Sequence, residues 1–180
     1  MLKKQIQSLF RATFGLFCFA TVAFGHGAEF KPEFVDSLIP GYLDVQSALA
    51  SDNLAAAKTA ATKLVGTAQH GPKFDAFTSP ASALANASDL KSARASFLTV
   101  SMEMQSLVDH VGTTGKHTLF EAYCPMAFGG KGGAWLQGDQ NVLNPYYGAM
   151  MLRCGSIKGQ VAGAPQTGSS SGGDLTQPGP

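Results

Sequence analysis

Between residues 90 and 111, Leu90, Ala93, Phe97, Val100, Met104, Leu107 and Val111 recur three and four residues apart. That spacing places all seven on one face of a helix. A face so apolar must be covered by other elements of the chain. Ser88 or Asp89 can cap the start of this helix, and Gly112 stops it. Two more stripes precede it. Phe34, Leu38, Tyr42, Val45 and Leu49 form the first, interrupted by Pro40-Gly41, which predicts a kink or a restart near Pro40. Leu54, Ala57, Ala61, Leu64 and Ala68 form the second, with capping side chains in Ser51-Asp52-Asn53 and alanines that permit close contact. The intervening segment 70–88 is rich in Pro, Ser and Ala and reads as a long connection with one turn of helix. Three amphipathic helices predict an antiparallel bundle, in which Met104 is core.

After Gly115 the period shortens. Leu119, Glu121 and Tyr123 alternate with Phe120, Ala122 and Cys124, which predicts a short strand over 117–124. Pro125, a glycine-rich loop and the run Asn-Pro-Tyr-Tyr-Gly at 144–148 then predict turns and short extended pieces folded back on the helices. The expected fold is mainly α, a helical bundle with a small irregular or β unit that carries the Cys-Pro-Met loop. From Gly159 onward Gly, Ser, Pro and Gln dominate, and too few apolar residues remain to offset the entropy of ordering. Residues 159–180 are therefore read as a disordered tail.

The first residues have a different character. A basic lead, an apolar run shorter than a membrane span and then small residues form the pattern of a cleaved secretory signal, expected over residues 1–25 and taking Cys18 with it. The mature chain is expected to be one domain, 26–158, with its Cys/Met unit at 116–158, located in the periplasm or secreted. A net charge of +1 gives no reason to expect nucleic acid as a partner, and no membrane span is expected in the mature chain. The sequence contains no GxSxG, no HExxH and no spaced carboxylate pair, so it offers no support for hydrolase chemistry and the chain is read as no enzyme. Gly129-Gly130-Lys131-Gly132-Gly133 lacks the Ser or Thr and the context of a phosphate-binding loop.

The residues that could carry chemistry are sulfurs. Cys124 and Met126 lie before the glycine loop, and Met150, Met151 and Cys154 lie after it, so a hairpin-like excursion would bring the five together. Thiolates and thioethers select soft ions, above all Cu(I) or Ag(I). His117, or His110, could add an imidazole, and Trp135 could cover the site. Oxidising surroundings favour a different use of the same residues, a structural Cys124–Cys154 disulfide, with methionines as packing. Neither cysteine sits in a C-x-x-C pair, which argues against thioredoxin-like chemistry and a zinc ribbon. His26, near the expected cleavage point, is a further candidate copper ligand, and Asn86-Ala87-Ser88 fits a glycosylation sequon.

Four stretches occur in order: 42–64, 93–101, Tyr-Cys-Pro-Met with its glycine loop at 123–137, and Asn-Pro-Tyr-Tyr-Gly with Met-Leu-Arg-Cys-Gly at 144–155. Together they resemble a secreted bacterial domain family of unknown function, DUF3347, over about residues 38–158. Members of that family occur alone or fused to periplasmic adaptor subunits of copper and silver efflux systems. The resemblance implies a metal-handling context, with such an adaptor or another periplasmic protein as partner. Tyr-Cys-Pro-Met is also similar to the start of a short heavy-metal-binding motif that continues with His-Pro. Ala127 and Phe128 stand there instead, so one ligand of that motif is missing. Two functions are carried forward. One is a soft-metal binding protein using Cys124, Met126, Cys154, Met150, Met151 and His117. The other is a non-catalytic structural or interaction domain stapled by Cys124 and Cys154.

Overall fold

The computed structural model describes residues 29–163. Residues 1–25, expected to be a secretory signal, with Cys18, and His26 lie outside them, as does most of the expected tail.

Four helices come first: α1 (Pro32–Ala50), α2 (Leu54–Ala68), α3 (Asp75–Ala85) and α4 (Leu90–His110). Two of the starts are fixed by side-chain caps. The Asn53 carboxamide oxygen accepts the Ala56 amide at 2.9 Å, and the Asp89 carboxylate accepts that of Ser92 at 2.7 Å. Pro32 opens α1 at a position where a missing N–H costs nothing. α1 packs on α2, α2 on α3 and α3 on α4, while α4 also touches α1 and α2. The predicted stripes form the core: Leu38, Tyr42, Val45, Leu49, Ala57, Ala61, Leu64, Phe97, Val100, Met104 and Leu107 are all buried.

Two expectations change here. α1 runs unbroken through Pro40. Pro40 lacks the N–H that would bond the Asp36 carbonyl, but Leu38, Ile39 and Tyr42 around it are completely buried, and that packing sustains the helical path. Gly41 beside it lets α2 approach, since a Cβ there would lie 3.3 Å from Leu64 Cδ1. The second change is α3, a helix of 11 residues where a connection was expected. Phe74, Phe77, Ala81 and Leu84 are spaced three, four and three apart, and all are buried. Burial of that face offsets the hydrogen bond lost at Pro80.

Strands β1 (Leu119–Cys124), β2 (Gly133–Gln137) and β3 (Ser156–Ala162) make an antiparallel sheet in the order β2-β1-β3. The alternation of β1 holds from Phe120 onward, with Phe120, Ala122 and Cys124 buried and Glu121 and Tyr123 half-buried, while Leu119, expected on the face of Glu121 and Tyr123, is also completely buried. β2 lies against α4. β3 crosses the expected domain boundary at 158, because pairing with β1 continues through Gly159, Gln160 and Ala162. Backbone hydrogen bonding, which composition does not register, orders these residues. Between β1 and β2 lies a single turn, α5 (Ala127–Gly130), in which Phe128 and Gly129 take left-handed conformations. A short 3₁₀ turn, Gly148–Met151, precedes β3.

Aromatic rings join the two halves. Tyr42 stacks on Phe97 at 5.3 Å between centroids, and Phe97 meets Tyr146 at 6.0 Å. Tyr146 then takes Phe128 and Trp135 edge-on at 5.0 and 5.7 Å. Beside them the Tyr42 hydroxyl accepts the Leu136 amide at 2.9 Å and shares a 2.6 Å hydrogen bond with Ser101. That contact satisfies an outward-facing N–H of the edge strand β2. Burial pushes the Tyr42 phenol well above its ordinary pKa, so it stays neutral.

Candidate functional site: a close thiol pair

Cys124 ends β1, opposite Gly133 of β2, and is completely buried. Cys154 follows the 3₁₀ turn and is half-buried. Their sulfurs, thirty residues apart in the chain, approach to 2.9 Å as free thiols. The hydrogen bond to Cys124 and burial push the Cys154 thiol above its ordinary pKa, so Cys154 rests protonated. Gly155 makes the approach possible. Its φ is +131°, and a Cβ would come within 2.8 Å of the Tyr123 carbonyl oxygen and 3.1 Å of the Trp135 ring.

Asn144 positions the second thiol. Its side chain is completely buried. The carboxamide nitrogen donates to the Cys154 carbonyl at 2.7 Å, while the oxygen accepts the amides of Tyr146 and Tyr147 at 2.8 and 3.2 Å. The Asn144 amide donates to the Leu152 carbonyl at 2.9 Å. The loop therefore closes around one side chain, which accounts for Asn-Pro-Tyr-Tyr in structural terms. The Tyr147 hydroxyl donates to the Met126 carbonyl at 2.6 Å and ties this loop to the Cys-Pro-Met turn. Phe128 in that turn has φ +52° and ψ +43°, a conformation that costs a non-glycine residue about 1–2 kcal/mol.

A latch to the helices holds the far side. Asp52, in the α1–α2 turn at φ +56°, forms an ion pair with Arg94 and accepts the Ala149 amide at 2.9 Å. Arg94 also donates to the carbonyls of Pro145 and Leu49 at 2.9 and 3.1 Å. The Ala149 hydrogen bond first, then Arg94, holds the Asp52 carboxyl below its ordinary pKa. Gly148, at φ +60°, leaves room for this latch, because a Cβ would collide with Asp52 and Arg94. Neither Asn144 nor the Asp52–Arg94 latch was picked out from the sequence.

The six expected metal ligands thus separate. Cys124 and Cys154 are brought together. Met126 and Met150 belong to the two tied loops and are 54% and 81% exposed, and Met151 is half-buried. His117 leaves the group: it precedes β1, whose steps from Leu119 to Cys124 alone span about 17 Å. His110 bonds the Ser106 carbonyl of its own helix at 2.9 Å. Trp135 is a core plug, completely buried, with its N–H donated to Gln137 at 2.9 Å. Among the described residues, no three of His, Cys, Asp and Glu form a group that could hold a metal ion. No helix among them is long and apolar enough to cross a membrane.

Fold and site define a mostly helical domain with a small antiparallel sheet that carries a close thiol pair. The family model described as "Protein of unknown function (DUF3347)" matches residues 38–116, from within α1 to the approach of β1, and supports the resemblance to that family. No curated protein and no solved structure matches the chain.

Proposed function

We propose that this chain is a non-catalytic soft-metal binding protein of the periplasm or secreted space, acting in copper or silver homeostasis or efflux. The observation that carries the proposal is the 2.9 Å approach of Cys124 Sγ and Cys154 Sγ. In the reduced pair both thiolates would bind one Cu(I)- or Ag(I)-like ion, with Met126 and Met150 or Met151 as thioether donors from the tied loops. Zinc would need four N, O or S ligands of the usual kinds, more than the pair offers. Because the Cys154 thiol is held protonated, binding releases protons and affinity rises with pH. The helices, arranged as an antiparallel bundle, would serve as scaffold, and an efflux adaptor or another periplasmic protein would exchange the ion. Competition for Cu(I) against a colorimetric chelator tests this on reduced protein. One-to-one binding is expected, weakened by more than about 100-fold in Cys124→Ser, since loss of a ligand exceeds the usual effect of an outer-shell change. Unchanged affinity in that variant would remove the site.

The complete burial of Cys124 favours a second reading, in which the pair is a disulfide staple and the 127–135 loop is a contact surface for a protein partner. Protein isolated under oxidising conditions would then show no reactive thiol. Its reduction would lower stability by about 2–4 kcal/mol.

A further inference from the structure

A cleft of about 290 Å³ opens between the first turns of α4 and the two C-terminal loops, apart from the thiol pair. Its floor is aromatic, from Phe128 and Tyr146, and its rim carries Tyr147 and Met150. Lys91 and Arg94 supply the charged wall. The two cations are not equivalent. Arg94 is committed to Asp52 and to two carbonyls. Lys91 is exposed, and among the described residues it has no carboxylate within ion-pair distance. The cleft therefore combines one unmatched positive charge with an apolar floor.

Phe128 forms that floor in a left-handed conformation, held edge-on against Tyr146 at 5.0 Å. Side chains kept in such conformations cluster at ligand clamps. Met150, 81% exposed on the rim, is a flexible wall that can adapt to what enters. The volume is at the small end of organic ligand sites.

We infer that this cleft binds a small organic anion: a carboxylate on an aromatic or aliphatic body of amino-acid size. The carboxylate pairs with Lys91 and the body lies on Phe128 and Tyr146. This does not rest on the metal reading, because no sulfur of the thiol pair takes part.

The test is an amide-resolved NMR titration of the full chain with 3-phenylpropanoate, its neutral amide 3-phenylpropanamide, and acetate. Saturable binding of 3-phenylpropanoate is expected, shifting the amides of Lys91, Gly129 and Tyr147. The neutral amide should bind about fivefold more weakly, the scale of one partly exposed ion pair, and acetate should not saturate. Lys91→Glu lies on an exposed helical surface and should erase the preference for the acid while the spectrum stays folded. Phe128→Gly, which suits the left-handed backbone, should weaken acid and amide alike. Absence of saturable 3-phenylpropanoate binding would overturn the proposal. So would equal affinity for acid and amide, or a Lys91→Glu variant that keeps the preference.

Discussion

The helical half and the C-terminal unit are stabilised by different means. In α1 to α4, apolar side chains recur at helical spacing and many of them share the work of burial. In the sheet and loops, single residues each carry a task no neighbour duplicates: Asn144 closes a loop, Gly148 clears a latch, Gly155 admits a thiol. A repetitive core tolerates volume-conserving change at most positions, whereas a loop centred on one carboxamide does not.

Substitutions in the second region should expose this contrast. Trp135→Ala should be the most damaging, costing about 3–5 kcal/mol in chemical denaturation, because a completely buried ring is replaced by a cavity. Leu107→Met in the helical half should cost less than about 1.5 kcal/mol. Asn144→Ala should follow Trp135→Ala, at about 2–3 kcal/mol, as two amides and a carbonyl lose their partner. That variant should also alkylate faster at Cys154. A normal alkylation rate would show that the loop positions the thiol without Asn144.

The smallest effect concerns the latch joining the two regions. Asp52→Asn should cost about 0.5–1 kcal/mol at neutral pH, since the pair is partly exposed and screened by solvent. The folded-state pKa of Asp52 lies below its ordinary value of 3.8. Its contribution is therefore complete above 3.8 and is lost as pH falls through the folded value. Unfolding curves of the protein and the variant should converge in acid. A constant gap down to the lowest pH would remove Asp52 from the latch.

Legibility in the sequence follows the same division. The stripes of α1, α2 and α4 and the alternation of β1 could be read directly, because burial repeats at the period of the backbone. α3 carried its signal in Phe74, Phe77, Ala81 and Leu84, but Pro80 and the surrounding Ser and Thr imitate a loop. β3 carried almost none. Only Ala162 in it is buried, and its pairing with β1 makes it a strand. In the site, the meeting of Cys124 and Cys154 followed from the excursion of the loop, and the distance of His117 followed only from the direction of β1. Asp52 and Arg94 owe their roles to partners far along the chain, and no local pattern marks them. Asn144 works within its own loop, on Tyr146, Tyr147 and Cys154, where Asn-Pro signals a turn but not which thiol it positions.

The hydroxyl of Tyr42, the carboxamide of Gln46 and the guanidinium of Arg94 all arise from the helices, and each meets backbone of residues 136–145. A fragment cut at 116, where the family match ends, would strand these groups beside an uncovered aromatic surface. The helices are therefore no detachable module. Any transplant of this domain onto another chain must carry the sheet and both loops with it.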